Sequence, residues 1–202
     1  MPDGLPGVVF VDNRDSFTFN LVDEFARRGC AVEVWRSGVR AAHVLARAAA
    51  AARPLIVLSP GPGRPADAGC CAEVVRRAGA VPVFGVCLGL QVMVEALGGA
   101  VDRAPEPVHG RTSLLTHRGG PFFAGIPSPM RVGRYHSLCA VTVPDALEVL
   151  AVGDGVVMAA AHRVRPLFGV QFHPESLLTP DGGALIENVL RWAAAADRRA
   201  GS

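Results

Sequence analysis

Along the first hundred residues, short apolar runs alternate with longer segments rich in Ala and Arg. Gly7-Val8-Val9-Phe10-Val11-Asp12 stays apolar until its last position and reads as a buried strand. Ser16 to Gly29 reads as a helix ending at its glycine, and Ala31 to Trp35 as a second strand. The pattern continues with a helix over Arg40 to Ala52, a strand over Leu55 to Leu58 and a helix over Asp67 to Ala78. Val81 to Val86 then reads as a fourth strand, and Leu88 to Leu97 as a helix that stops at Gly98-Gly99. Strands without polar alternation, each followed by a helix, predict an α/β fold. Its core is an open, mostly parallel sheet with helices on both faces.

After Gly98 the pattern changes to strands punctuated by Pro, Gly and Asp-Gly: Ser113 to Thr116, Met130 to Val132, Cys139 to Val143, Leu147 to Val152, Val156 to Ala160 and Leu167 to Phe172. These turn signals predict antiparallel strands or hairpins added in the second half. A last helix runs over Gly183 to Ala196. With no internal repeat and no linker-like stretch, residues 1–202 read as one domain.

Composition narrows the class. Half of the 202 residues are hydrophobic and 19% are charged, which suits a large core and argues against disorder. The net charge is +2, and no basic stripe is interleaved with aromatics, so a nucleic-acid partner is not expected. The one basic run, Arg198-Arg199, lies near the end of the sequence. The first residues lack the basic and apolar regions of a secretory leader. The longest apolar stretch, Ala80 to Leu90, is too short to span a membrane. A soluble, cytoplasmic protein is expected. Five cysteines fit reduced thiols better than a disulfide framework, and without C-x-x-C no metal site is expected.

Ligands of open α/β sheets sit at the carboxyl ends of the strands, and three predicted strand ends carry unusual residues. Gly85-Val86-Cys87-Leu88-Gly89 has a nucleophile between two glycines, where a strand turns into a helix. A sulfur there would lie at a helix N-terminus, and the Leu88 N–H would face it as an oxyanion donor. A small, inert core thiol is the alternative. Gln171-Phe172-His173-Pro174-Glu175 follows the last strand. Pro174 keeps His173 extended, and Glu175, two positions on, shares its side. A carboxylate there would orient the imidazole as a base, whereas a surface turn is the alternative reading. Ser59-Pro60-Gly61-Pro62-Gly63 is a rigid loop. Pro62 has no N–H, so any donor must be Gly61 or Gly63. A plain turn remains its alternative. Together the three supply nucleophile, base, orienter and oxyanion donors for acyl transfer.

V-C-L-G-L-Q, V-Q-F-H-P-E-S, L-S-P-G-P-G, D-N-R-D-S-F-T-F-N-L, H-G-R and R-Y-H-S-L, between Asp12 and Ser176, together resemble the class I, triad-type glutamine amidotransferases. Within that class the chain is most similar to the glutaminase subunit of anthranilate synthase and its relative in aminodeoxychorismate synthase. The resemblance implies that Cys87 attacks the side-chain amide of L-glutamine, that His173 shuttles the proton and that Glu175 holds the imidazole. It also implies an oxyanion hole from Gly61 and the Leu88 amide, with Gln91 and the Ser137-Leu138 backbone holding the substrate. The ammonia released would pass to a separate chorismate-using synthase subunit. No cofactor is implied for this chain, magnesium being expected only in that partner.

Asp12 to Thr18 and His109-Gly110-Arg111 fit no triad role, and the resemblance places them near the synthase. Their other readings are an N-cap at Asp15 or Ser16 and an ordinary loop histidine at His109. The chain departs from the family pattern at Arg14, Leu90 and Arg111, where an aromatic, a histidine and a lysine are usual. The two arginines bear on which partner is served. The same chemistry could feed aminodeoxychorismate or a specialised chorismate-derived amine, act as a hydrolase without a partner, or have been lost in a silent regulatory protein.

Overall fold

The computed structural model describes residues 5–200, with side chains to residue 196, so the side chains of the Arg198-Arg199 run lie outside the described residues. The first eight elements alternate as the hydrophobic pattern predicts: β1 (Gly7–Asp12), α1 (Thr18–Ala26), β2 (Ala31–Arg36), α2 (Ala41–Ala49), β3 (Pro54–Leu58), α3 (Cys71–Arg77), β4 (Val83–Val86) and α4 (Leu88–Ala96). There follow β5 (Ala100–Arg103), β6 (Arg111–His117), β7 (Met130–Arg134), β8 (Leu138–Thr142), β9 (Leu147–Gly153), β10 (Val156–His162), β11 (Leu167–Val170) and α5 (Gly182–Ala200).

Nine strands form one sheet in the order β2-β1-β3-β4-β11-β10-β9-β6-β7, and β5 pairs with β8 in a small second sheet. β2, β1, β3, β4 and β11 are parallel to one another. From β10 onward every pairing is antiparallel. Strand side chains alternate between faces. Val8, Phe10, Leu55 and Val57 pack in one core with Leu21 and Phe25 of α1 and Leu185, Ile186 and Val189 of α5. Val9, Val11, Ile56 and Leu58 pack in another with Val44, Val74 and Val92 of α2, α3 and α4. Helices therefore cover both faces, as expected.

α4 is buried from Leu88 to Val94, because its far side packs under the small sheet, where Leu90 and Val94 meet Val101 and Ala140. Such a helix must be apolar nearly all round. Among the described residues no helix is long and apolar enough to cross a membrane.

Several boundaries differ from the sequence reading. The expected helix over Asp67 to Ala78 is split into a short 3-10 turn at Pro65–Asp67 and α3. The break is at Gly69, whose φ is +53° and where a Cβ would lie 2.1 Å from the Ser37 carbonyl oxygen. The hydrophobic pattern does not announce β5: Ala100-Val101-Asp102-Arg103 buries only Val101, so it carries no apolar run. Helix α1 starts at Thr18 with no side-chain cap. Asp15 braces the turn before it, accepting the Phe17 N–H at 2.7 Å.

Candidate active site

The carboxyl ends of β4 and β11 build the site. Their parallel register pairs Val86 with Val170, and the Cys87 N–H donates to the Val170 carbonyl at 2.8 Å. Cys87 thus leaves β4 beside Gln171 leaving β11, and His173 follows within the next two residues. The sequence predicts both strand ends but not that these two strands are neighbours.

Cys87 has φ +53° and ψ −101°, a backbone state costly for a residue with a Cβ, and it immediately precedes α4. Leu88, as first residue of the helix, has no i−4 partner within it for its N–H. The flanking glycines let the helix lie on the sheet: a Cβ on Gly85 would sit 2.6 Å from the Gly89 carbonyl carbon, and one on Gly89 2.4 Å from Leu58 O. Gly61 is wedged just as closely, its absent Cβ falling 2.5 Å from Asn13 Cβ and 2.7 Å from Leu88 Cδ2. Asn13 fastens that loop through both its N–H to Ser59 Oγ, at 2.9 Å, and its side-chain amide to Ser59 O, at 3.0 Å. The Pro-Gly loop therefore presses against the residue after the sulfur, while Pro62 and Gly63 are exposed.

His173 Nδ1 lies 2.6 Å from Glu175 Oε1, and both side chains are buried. The segment is not extended, as expected from Pro174, but a β-turn closed by the Ser176 N–H on His173 O at 3.2 Å. Pro174 takes its second position, which a fixed φ favours. The turn is pinned from below: His173 N–H donates to Gly133 O, and Thr179 Oγ1 donates to His173 O at 2.7 Å. Glu175 Oε2 is buried with no hydrogen-bond partner among the described residues, so the hydrogen bonding of this carboxylate is directed at His173. Burial pulls the His173 pKa down, but hydrogen bonds and charge from Cys87 and Glu175 outweigh it. The net value is raised well above that of an ordinary imidazole. A sulfur, an imidazole and a carboxylate joined in this order can move a proton off the sulfur and return it to a leaving group.

Gln91 and Leu138 are brought together: Gln91 Nε2 donates to the Leu138 carbonyl at 3.0 Å and to Gln171 Oε1 at 3.1 Å. Ser137 is exposed beside them, its carbonyl taken by the Ala104 N–H. The two stretches that fit no triad role divide. Asp12, Asn13 and Thr18 are buried, with Asp12 Oδ1 accepting from the Arg14 N–H and Thr18 Oγ1, whereas Arg14 and Ser16 face outward. His109, Gly110 and Arg111 are exposed.

Sequence reasoning gives Tyr135 no role and places Phe17 only in the stretch near the synthase, yet both rings stand edge-on to His173 with centroids 5.1 and 5.2 Å away. It also assigns none to Gln171, Arg134 or His136. Their common signal is a polar or bulky residue beside a strand end, visible in Q-F-H-P-E and R-Y-H-S-L. Glu175 is 9% exposed and Cys87, Gln91 and His173 are less so, and a large cavity, about 720 Å³, lies elsewhere. Phe122, His162, Pro166 and Trp192 line it at the opposite end of β11.

Residues 9–192 match the family model described as glutamine amidotransferase class-I. An anthranilate synthase component 2 from Vibrio parahaemolyticus is 42% identical over 94% of this chain and 97% of its own. An aminodeoxychorismate synthase from Streptomyces griseus is 48% identical over 89% of this chain, which spans only 25% of that longer protein. A putative GMP synthase protein from Thermoplasma acidophilum shares the fold, with a TM-score of 0.86 at 20% identity over 99% of this chain and 100% of its own. With its family model matched over nearly the whole length, the chain belongs to the class I glutamine amidotransferases.

Proposed function

We propose that residues 1–202 form one cytoplasmic glutaminase domain that supplies ammonia to a chorismate-using synthase subunit making anthranilate. The observation that carries this reading is the Cys87–His173–Glu175 array, with its 2.6 Å imidazole–carboxylate contact, in a chain similar to an anthranilate synthase component 2. Cys87 passes its proton to His173 and attacks the glutamine side-chain carbonyl carbon. The Leu88 and Gly61 amides hold the developing oxyanion. The imidazolium protonates the leaving nitrogen, ammonia departs and a thioester remains. Water, deprotonated by His173, then hydrolyses the thioester to L-glutamate and restores the thiol. Gln91 and the Ser137-Leu138 backbone hold the amino-acid end of the substrate. This chain needs no cofactor for those steps, and magnesium belongs to the partner. A silent regulatory role fits poorly with so complete an array.

The test is glutamine hydrolysis by the isolated chain, repeated with chorismate and a candidate synthase subunit. Weak activity alone and a clear rise with the partner support the reading. A Cys87→Ala complex should lose glutamine-dependent product and keep ammonia-dependent product; retained use of glutamine would refute it. A second reading, service to an aminodeoxychorismate-forming synthase, is favoured by the similarity to the Streptomyces griseus protein. Product analysis with each synthase separates the two.

A further inference from the structure

A chain of buried polar groups ends at the sulfur. Arg134, 2% exposed, donates from Nη1 to Asp154 Oδ2 at 2.8 Å and from Nε to His136 Nε2 at 3.0 Å. His136 Nδ1 lies 2.9 Å from the Leu138 carbonyl oxygen, which Gln91 Nε2 also reaches. Gln91 Nε2 bonds Gln171 Oε1, and Gln171 Nε2 lies 3.5 Å from Cys87 Sγ.

The direction of every link follows from the chemistry of two groups. A guanidinium only donates, so His136 Nε2 must accept and the ring proton sits on Nδ1, facing Leu138 O. The ring is neutral there, because burial and then the Arg134 charge push its pKa down to about 4. A carbonyl oxygen only accepts, so Gln91 must turn its NH2 toward Leu138. That NH2 has a second hydrogen, which meets Gln171 and obliges Gln171 to present its oxygen. The Gln171 NH2 is left facing the sulfur. Reversing either amide would set two donors, or two acceptors, against each other in a buried site.

We propose that Gln171 is a further catalytic residue of the glutaminase, donating an N–H to the Cys87 sulfur, and that Gln91, His136 and Arg134 are positioning residues that fix its orientation. A donor on sulfur stabilises the negative charge that sulfur bears when it attacks and when it leaves. It also holds Sγ in one rotamer before glutamine arrives. This rests on Cys87 being the nucleophile.

The experiment is alkylation of Cys87 by iodoacetamide in the intact chain, followed by mass spectrometry of the Cys87 peptide from about pH 5 to pH 9. The titratable group bonded to Cys87 is His173, with Glu175 behind it and His136 beyond, so the histidines are followed by NMR at the same time. Gln171→Met, which lacks a donor, should alkylate about tenfold more slowly at neutral pH. Gln171→Glu, which is isosteric but carries a negative charge, should be slower still. In the synthase complex kcat should fall with the KM for glutamine changed little. Wild-type rates at every pH in both variants would overturn the donor while leaving the nucleophile intact. Glutaminase activity that survives alkylation of Cys87 would overturn both. Should a variant fail to fold, the wild-type chain decides: the Gln171 side-chain amide protons must shift as Cys87 titrates, and an unmoved signal overturns the proposal.

Discussion

His173 and Glu175 meet across one turn, Nδ1 to Oε1 at 2.6 Å, with the proline between them at the turn's second position. The contact itself is local, made within one turn, and Gly133 O and Thr179 Oγ1 hold that turn in place, so the ring's orientation is set independently of the sulfur.

Glu175→Gln keeps the shape of that turn and removes its charge. Glutamine-dependent kcat should fall by about two to four orders of magnitude, by analogy with the orienting carboxylate of hydrolase triads. The His173 titration, followed by NMR, should move down toward an ordinary imidazole. An unchanged kcat would mean that Glu175 does not orient the ring.

The two buried histidines respond to pH in opposite senses. His173 holds its proton more tightly folded than unfolded. Its contribution to stability is present below about pH 6.5 and is lost as pH rises through its raised value. His136 is depressed to about 4, so the unfolded chain binds that proton more readily. Stability is then lost as pH falls from about 6.5 toward 4, by about 3 kcal/mol over the whole interval. His136→Gln should flatten the acid side of the stability profile, measured by urea unfolding, even if the variant is weaker at neutral pH.

Gly89→Ala drives a methyl to 2.4 Å from the Leu58 carbonyl oxygen, in a helix buried on both sides. It should destabilise the chain by about 3 kcal/mol. Gly61→Ala meets the Asn13 and Leu88 side chains first, with the Asn13 carbonyl oxygen at 3.0 Å. Its larger effect should be on kcat, through displacement of the Pro-Gly loop. Thermal melts and glutaminase assays of the two variants separate these outcomes.

Leu177, 101% exposed, follows the triad segment, and Phe19, 58% exposed, lies in the first turn of α1. Phe19 adjoins Asp12 to Thr18, the stretch that the resemblance places near the synthase, and Leu177 lies two residues past Glu175; both are large apolar side chains that a docked partner would cover. Replacing either by Ser should raise the synthase concentration needed for half-maximal stimulation about tenfold, as loss of an apolar anchor does. Basal hydrolysis by the isolated chain should be unchanged.

Much of this architecture is legible in the amino-acid sequence. The apolar strands of the first half, and the glycines around Cys87, announce a parallel sheet and a sharp strand-to-helix turn through local sterics alone. What is not local is not legible. No pattern in Leu167 to Val170 says that it pairs with Val83 to Val86, since a fully apolar strand suits any central slot in a sheet. Gln171 and His136 are hidden for a related reason: their roles arise from partners in other elements. Asp102 and Arg103 obscure β5, because a strand with one buried residue out of four has no readable alternation.

The place of β11 between β4 and β10 bears on how the enzyme comes into being. The sulfur precedes Gln171 by 84 residues, yet the strand carrying Gln171 fills the slot beside it. On the ribosome, Cys87 emerges well before His173, its proposed base, and the sheet has a gap until β11 is made. A nascent or prematurely terminated chain therefore carries Cys87 without His173 and Glu175. If the triad acts as proposed, glutamine hydrolysis waits for synthesis to pass Glu175, a timing rule written into strand order.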